Sequence, residues 1–400
     1  MLEDPWQDGA IPVRFHEEEQ SAETIVAAAA SRPIDGIIVV GDRPTLIGAY
    51  VAKALGLPGH PPEAAVVARH KLFTRERMRE HGLLVPWFIS TPVERDPHEI
   101  KASYPCVVKP VALSASRGVM RADSPDELAA AFFRLRALLR SPDIRAERNH
   151  AHDMAIVEGF IPGREFALEG LLHQGRLTVL ALFDKPDPLD GPFFEETIYL
   201  TPSSVPPTTQ AAIVDAVVRA ATAIGLWHGP IHAECRVSPS TDAGQATSGQ
   251  TGVFVLEVAA RPIGGLCARS LRFAGGETLE ELLLRHALGE SPDGWRREAR
   301  ASGVMMIPIP QRGVFRRVEG LDEARRVAGV DDIRITAKTD QVLVPLPEGA
   351  SYLGFIFAGG DDAHDVDAAL RAAHARLTFV IDPELPISRV RPDPLQSHHG

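Results

Sequence analysis

Glu257-Val-Ala-Ala-Arg261-Pro-Ile-Gly264-Gly265 begins inside a short apolar run, 252–258, and a second such run, Ile-His-Ala-Glu-Cys-Arg-Val, occupies 231–237. Both read as strands. Side chains alternate along a strand, so His232, Glu234 and Arg236 share one face of the first run. By the same rule Val253, Val255 and Glu257 share one face of the second. Paired as neighbours, the two strands bring two carboxylates and an arginine into one site. A carboxylate in an apolar strand is costly unless something positive meets it. Magnesium carried by a nucleotide phosphate answers that need, because it is held through one or two carboxylates plus phosphate oxygens. A surface hairpin with one wet face would give the same pattern with no ligand at all.

The chain has 400 residues, enough for two or three domains around a sizeable core. Its 44% hydrophobic and 24% charged content is ordinary for a globular protein. A net charge of -11 argues against a general nucleic-acid or anionic-membrane surface, yet leaves room for a local basic cleft that takes a nucleotide. Cys106, Cys235 and Cys267 show no CxxC spacing and read as small buried hydrophobes of a reducing compartment. With no cationic-then-apolar leader and no run of membrane-spanning length, a cytoplasmic location is expected. Of the 42 basic residues only six are lysine: Lys53, Lys71, Lys101, Lys109, Lys185 and Lys338. Where arginine is so favoured, a lysine inside an apolar run hints at a need for a compact ammonium.

Helix and strand periods alternate at the start: strand 11–15, helix 21–30, strand 36–40, helix 45–55. That pattern predicts a small parallel α/β unit. A helix over 63–81 containing Lys71 follows, then a strand at 85–89. Strand 104–109 ends in Lys109, and the helix 125–139 carries Ser124 as N-cap with Glu127 completing a capping box. Further strands are expected at 154–158, 165–171 and 177–183, and further helices at 208–224, 278–288 and 363–377. The polar stretch 239–251 reads as a mobile hairpin tip and 384–400 as a frayed tail.

Lys109 is followed by the small polar loop Ser114-Ala115-Ser116-Arg117-Gly118. Such a loop folds over phosphates with backbone N–H groups and hydroxyls, while the lysine and Arg117 neutralise charge. It is neither a Walker A loop nor a dinucleotide-binding loop. Glu158-Gly159-Phe160-Ile161-Pro-Gly163-Arg-Glu165 joins an apolar strand to a turn, with two glutamates seven residues apart. It offers a backbone edge and apolar floor for adenine and carboxylates for a ribose. Two solvated glutamates on a strand–turn–strand connection are the bland alternative. Asp42 follows the strand at 36–40, at a carboxyl end where α/β folds bind ligands, and is a candidate for recognising an amino group.

The order lysine, small-residue loop, acidic hinge, two strand glutamates and Arg-Pro-Ile-Gly-Gly resembles the ATP-grasp superfamily, over about 70–289. Within it, the stretches 56–86, 182–203 and 257–265 resemble carboxylate–amine ligases of the L-amino acid ligase type. The segment 346–360 resembles the end domain these share with biotin carboxylases. The resemblance implies an α/β (α+β) ATP-grasp fold. It would comprise a short N-terminal parallel α/β unit (1–68, apparently truncated), an ATP-grasp domain (69–290) with a lid subdomain at about 104–160, and a biotin-carboxylase-like C-terminal domain (303–383). It implies that Lys71 and Lys109 contact ATP phosphates beneath a lid of Ser114, Ser116, Arg117 and Gly118. Glu158 would meet the adenine amino group, Gly159, Phe160 and Ile161 would frame the ring, and Glu165 would hold the ribose. Glu234 and Glu257 would ligate Mg²⁺, with Mn²⁺ as substitute. Arg261 would orient the carboxylate substrate beside Gly264 and Gly265, Lys185 would approach substrate, and His232 and His228 are the candidate bases. Many ATP-grasp enzymes carry asparagine two residues beyond the second metal glutamate, where this chain has Ala259. The expected partners are a small carboxylate and an amine, with no nucleic acid and no membrane, in a homodimer. A purine-pathway or biotin-carboxylase-like enzyme, and a nucleotide-binding regulator without turnover, are the competing readings.

Overall fold

The computed structural model describes residues 9–238 and 252–384. The hairpin tip expected at 239–251 and nearly all of the tail expected at 384–400 lie outside them. At the N-terminus, α1 (Glu18–Ala29) and α2 (Thr45–Leu55) pack on each other. The strands expected at 11–15 and 36–40 do not form. Their apolar side chains are satisfied by helix packing instead: Val13, Phe15 and Ile37 against Ala22, Ile47 and Val51, and Ile38 against a separate cluster in the large domain. Among the described residues no parallel ladder therefore forms in this unit, although its helices do.

The helix expected over 63–81 is two helices, α3 (Pro62–Arg69) and α4 (Lys71–Glu80), broken at His70. His70 takes extended backbone angles and its ring accepts the Phe73 N–H, capping α4. The break places Lys71 at the first turn of α4, and the Lys71 N–H donates to the Val111 carbonyl at 3.0 Å.

Over the stretch expected as a lid, with one strand from before it, a four-stranded sheet runs in the order β1-β4-β2-β3, from β1 (Phe88–Pro92), β2 (Cys106–Pro110), β3 (Met120–Ala122) and β4 (Met154–Gly159). Helix α5 (Pro125–Leu139), with the short α6 (Pro142–Arg145), covers it through Leu128, Phe132, Leu135 and Leu139. β1 lies three residues beyond the strand expected at 85–89.

The large domain adds β5 (Arg164–His173), β6 (Arg176–Asp184), β7 (Ile198–Thr201), α7 (Pro207–Ile224), β8 (Gly229–Ser238), β9 (Gly252–Ala259) and α8 (Leu279–Ala287). The last segment contributes β10 (Ala301–Ile307), β11 (Gly313–Glu319), α9 (Leu321–Arg325), β12 (Val330–Ile335), β13 (Val342–Leu343), β14 (Gly354–Gly360), α10 (Ala363–His374) and β15 (Thr378–Asp382). Strands from both join one antiparallel sheet in the order β12-β14-β10-β7-β6-β5-β8-β9. The C-terminal segment thus extends the central sheet, while β13, β11 and β15 form a small sheet of their own. One face of β5, β8 and β9 packs on α3, α4 and α7 through Phe166, Leu168, Ile231, Cys235, Val255 and Val258. The other face packs in part on α8 and on Phe355 and Phe357, and elsewhere opens into a cleft. No helix of the described residues is long and apolar enough to cross a membrane.

Candidate active site

β8 and β9 pair with Glu234 directly opposite Glu257, but only through a register shift between Glu234 and Cys235. Cys235 pairs with Val255, so Leu256 is an extra residue on β9. The regular alternation that grouped Glu257 with Val253 and Val255 is therefore broken. Val255 packs into the α7-side core, while Leu256 and Glu257 both line the cleft. A bulge re-aims the side chains that follow it, and here it turns Glu257 to the face that carries Glu234.

Like charges directly across a ladder repel. Each carboxylate meets a lysine: Lys71 Nζ lies 3.2 Å from Glu257 and Lys185 Nζ lies 3.3 Å from Glu234. Both glutamate side chains keep about a quarter of their surface open, 26% and 27%. Burial opposes ionisation of Glu234, but Lys185 and His232 hold it well below the usual carboxylate range. Around Lys185, the carboxylates of Glu165, Glu196 and Glu234 have oxygens within 4.8 Å of one another. Burial would strip the Lys185 proton, and Glu165, Glu196 and Glu234 overcome this and raise its pKa well above the ordinary value. The expected approach of Lys185 to substrate is not what its ammonium does, since it is buried beneath these carboxylates and bonded to Glu165 and Glu196. Burial, with the negative charge of Glu234, lifts Glu196 to about 7.

Glu158 departs from its expected role. Its carboxylate is buried and takes both a bidentate contact from Arg75, at 2.8 and 3.1 Å, and an ion pair with Lys109. Burial raises its pKa, and the two cations outweigh that and bring it to about 2. It has no free oxygen for an adenine amino group. The hinge backbone does: among the described residues the Phe160 carbonyl and the Ile161 N–H take no hydrogen bond, whereas Gly159 N–H goes to Trp87 and Phe160 N–H to Pro105. The apolar floor is Phe160, with the Arg121 and Arg236 guanidinium carbons 4.3 and 5.2 Å from its ring centroid. Glu165, expected to hold ribose hydroxyls, likewise has both oxygens engaged, one accepting from Lys185 and the other from Arg236, each at 2.8 Å.

Asp42 and Arg261, expected to meet opposite ends of a substrate, are brought together and pair bidentately at 2.9 and 3.2 Å. Arg261 holds Asp42 ionised against the effect of burial. The Arg-Pro-Ile-Gly-Gly turn beyond is anchored by Glu169, wholly buried on β5, which accepts the Ile263 N–H at 3.0 Å. Glu169 also faces His232 Nδ1 at 3.2 Å, and His232 Nε2 lies 3.7 Å from Glu234. Burial would lower His232, but Glu169 and Glu234 raise it to about 9. Both ring nitrogens thus face carboxylates, an arrangement that orients Glu234 and gives no free base. Ala259 stands opposite His232 in the ladder.

In the loop over the cleft, Ala115 and Ser116 take left-handed angles, φ 56° and 53°, a cost for non-glycine residues that clusters at functional sites. Ser114 and Ser116 line the cleft, and Lys71 and Lys109 do so from below. Arg117 does not: it turns outward to the Glu348 carbonyl and Asp143, both at 2.8 Å. Gly118 is likewise used elsewhere, its N–H donating to the Pro347 carbonyl at 2.7 Å. Gly264 and Gly265 line the far end of the cleft, whose volume is about 320 Å³, within the range of small-molecule sites.

Sequence reasoning missed Arg75, Glu169, Glu196 and Tyr199, the last of which lines the cleft and donates its hydroxyl to Glu196 at 2.9 Å. Arg75 stands four residues after Lys71, hence on the same helix face, which is a signal the sequence does contain. Glu196 sits two residues before β7, a strand too short to show a period.

Models of known families match three stretches: the ATP-grasp N-terminal domain over 3–59, the ATP-grasp domain over 102–270 and the L-amino acid ligase C-terminal domain 2 over 305–382. The crystal structure of an L-amino acid ligase from Bacillus licheniformis superposes with a TM-score of 0.77 at 30% identity, covering 92% of this chain and 86% of that one. An ATP-grasp enzyme of Aspergillus fumigatus, fsqD, is 25% identical over 297 residues, 66% of this chain and 49% of its own length. Alanine–anticapsin ligase of Bacillus subtilis is 25% identical over 284 residues, 67% and 57% respectively. The chain spans about half the length of these curated relatives.

Proposed function

This chain belongs to the ATP-grasp superfamily, among the carboxylate–amine ligases of the L-amino acid ligase type, and from that premise we propose that it joins an amino acid carboxylate to an amine at the expense of ATP. The carboxylate attacks the γ-phosphate, giving an acyl phosphate and ADP. The amine then attacks the carbonyl carbon, phosphate leaves, and an amide bond remains. ATP-grasp enzymes generally use ATP with Mg²⁺. The observation that carries the reading is the cross-strand pair Glu234–Glu257, turned by a bulge into a cleft that Lys71 and Lys109 also line.

Two partly open carboxylates are a hard-oxygen donor set suited to Mg²⁺ or Mn²⁺, and Glu234 and Glu257 would hold the ion. Bound there, it supplies charge neutralisation for phosphoryl transfer. The remaining work falls to the protein. Lys71 and Lys109 meet phosphate oxygens, and the loop carrying Ser114 and Ser116 shields them from water. The Phe160 carbonyl and Ile161 N–H, without a hydrogen bond among the described residues, form the acceptor–donor pair that an adenine edge requires. Arg261 faces a substrate carboxylate and Asp42 an ammonium, each keeping the other ionised until substrate arrives. His232 and Lys185 are positioning residues for Glu234.

The test is phosphate release with Mg-ATP against single amino acids and pairs, with mass detection of products. Release that requires one pair, with a product one water lighter than the sum, is the expected outcome, and Glu257→Gln should abolish it. ATP binding without release on any carboxylate–amine pair would favour a regulator. Release with bicarbonate or a phosphoribosyl amine would favour the other enzymes of this fold.

A further inference from the structure

Away from the cleft, three histidines converge: His173 ends β5, His228 immediately precedes β8, and His286 lies on α8. One ring nitrogen of each lies within 4.8 Å of one from both others. His173 Nδ1 and His286 Nε2 are 3.3 Å apart, and His228 stacks on His286 with centroids 4.2 Å apart. The β5–β8 ladder leads directly to this group. Glu169 pairs with His232 and Leu172 with Gly229, so His173 and His228 come next on the face that carries Glu169 and His232. Four residues of strand separate the two rows by about 13 Å.

His228 and His286 are 5% and 2% exposed. Buried polar side chains almost always find a partner, yet Nε2 of His228 has none among the described residues. His60 lies beside the group but is fully engaged, its Nδ1 accepting the Trp227 N–H and its Nε2 donating to the Pro230 carbonyl. Burial, reinforced by the neighbouring imidazoles, lowers His286 to about 3 and lowers His228. Burial thus favours the neutral ring, the form that ligates metal.

We propose that His173, His228 and His286 form a binding site for a divalent transition metal of the Zn²⁺ class, fastening α8 to the ends of β5 and β8. Imidazole nitrogen suits zinc and its first-row neighbours, whereas Mg²⁺ prefers carboxylate and water oxygens. With Zn–N bonds of about 2.0–2.1 Å, a tetrahedral ion holds ligand nitrogens about 3.4 Å apart. The His173–His286 pair already has that spacing, and His228 offers a ring nitrogen within 4.8 Å of both. His173, the partly exposed member, provides the entry path, and water completes the coordination.

The test uses the untagged full chain, stripped with chelator and titrated with Zn²⁺ or Co²⁺ alone. Expected are one Co²⁺ per chain with the intense visible bands of a four-coordinate nitrogen site, and a rise in Tm with Zn²⁺. Glu234→Gln, altered in the cleft, should keep this signal. His173→Asn should weaken uptake by more than about 100-fold, beyond the 10–100-fold effect of losing a supporting group. His286→Gln, checked for native circular dichroism, should do the same. A natively folded chain that shows no such Co²⁺ spectrum overturns the proposal, as does uptake that survives in both histidine variants.

Discussion

Arg75 is 1% exposed, and its guanidinium bonds both Glu158 oxygens and the carbonyls of Val255 and Leu256. It therefore fastens the lid hinge to the bulge that aims Glu257. Removing one partner of a buried ion pair leaves the other uncompensated, at a cost of about 3–5 kcal/mol. Arg75→Met should lose that much in denaturant unfolding, and a loss below about 1 kcal/mol would show that Lys109 alone suffices for Glu158. Lys109 itself is lowered from 10.5 to about 8, chiefly by burial, with Arg75 and Lys71 adding to the effect and Glu158 opposing it. The folded value lies below the unfolded one, so burying this ammonium weakens the fold below pH 8, and the penalty lifts as pH rises from 8 toward 10.5. The charge proposed to meet phosphate is lost earlier, as pH passes through about 8. ATP affinity should fall as pH rises through about 8, and Lys109→Arg should carry it to higher pH; a flat profile in a fluorescent-nucleotide titration would remove Lys109 from the phosphate site. Lys109, Glu234 and Glu257 are legible in the sequence because charge inside an apolar run is conspicuous, whereas Lys71 and Arg261 stand out only through the family resemblance. The partners of Arg75 lie 83 to 181 residues away, and no local pattern announces them.

Helix α5 begins as its residues require. The Ser124 hydroxyl accepts the Glu127 N–H at 3.3 Å, and the Glu127 carboxylate reaches back to the Asp123 N–H at 2.7 Å, one residue earlier than in a standard capping box. Ser124→Ala should cost about 1 kcal/mol, read as a lower midpoint in urea with unchanged slope; no change would mean that Glu127 alone caps the helix. Elements with a long period, such as α2, α5, α7, β5 and β6, are readable in the chain to within a few residues. Strand β9 shows where such reading stops. A bulge adds one residue to one strand without altering composition, so the alternation of Val253, Val255 and Glu257 looks regular while the ladder is not. The N-terminal runs at 11–15 and 36–40 mark another limit, for an apolar segment becomes a strand only where a neighbouring backbone is free to pair. At His70 the break between α3 and α4 depends on a cap that is itself a histidine, outside the usual set of capping residues.

Across the whole molecule, the loop over the cleft is tied to the far end of the chain. Arg134 and Arg117 both reach Glu348, and Gly118 N–H donates to the Pro347 carbonyl. Exposed ion pairs contribute about 0.2–1 kcal/mol. Glu348→Ala should raise KM for ATP by no more than about fivefold and speed hydrogen exchange at 114–118; unchanged exchange there would show that the backbone contacts alone set the loop. Strand β7 has a different consequence. It is four residues long, meets β6 at a single pair, Asp184 with Leu200, and is bonded along its other side to β10. A fragment ending near residue 300 would contain every residue assigned to the cleft from the ATP-grasp region and still strip β7 of its outer neighbour. The bared row of N–H and C=O groups would template pairing between molecules, so such a fragment should precipitate or form filaments instead of behaving as a smaller enzyme.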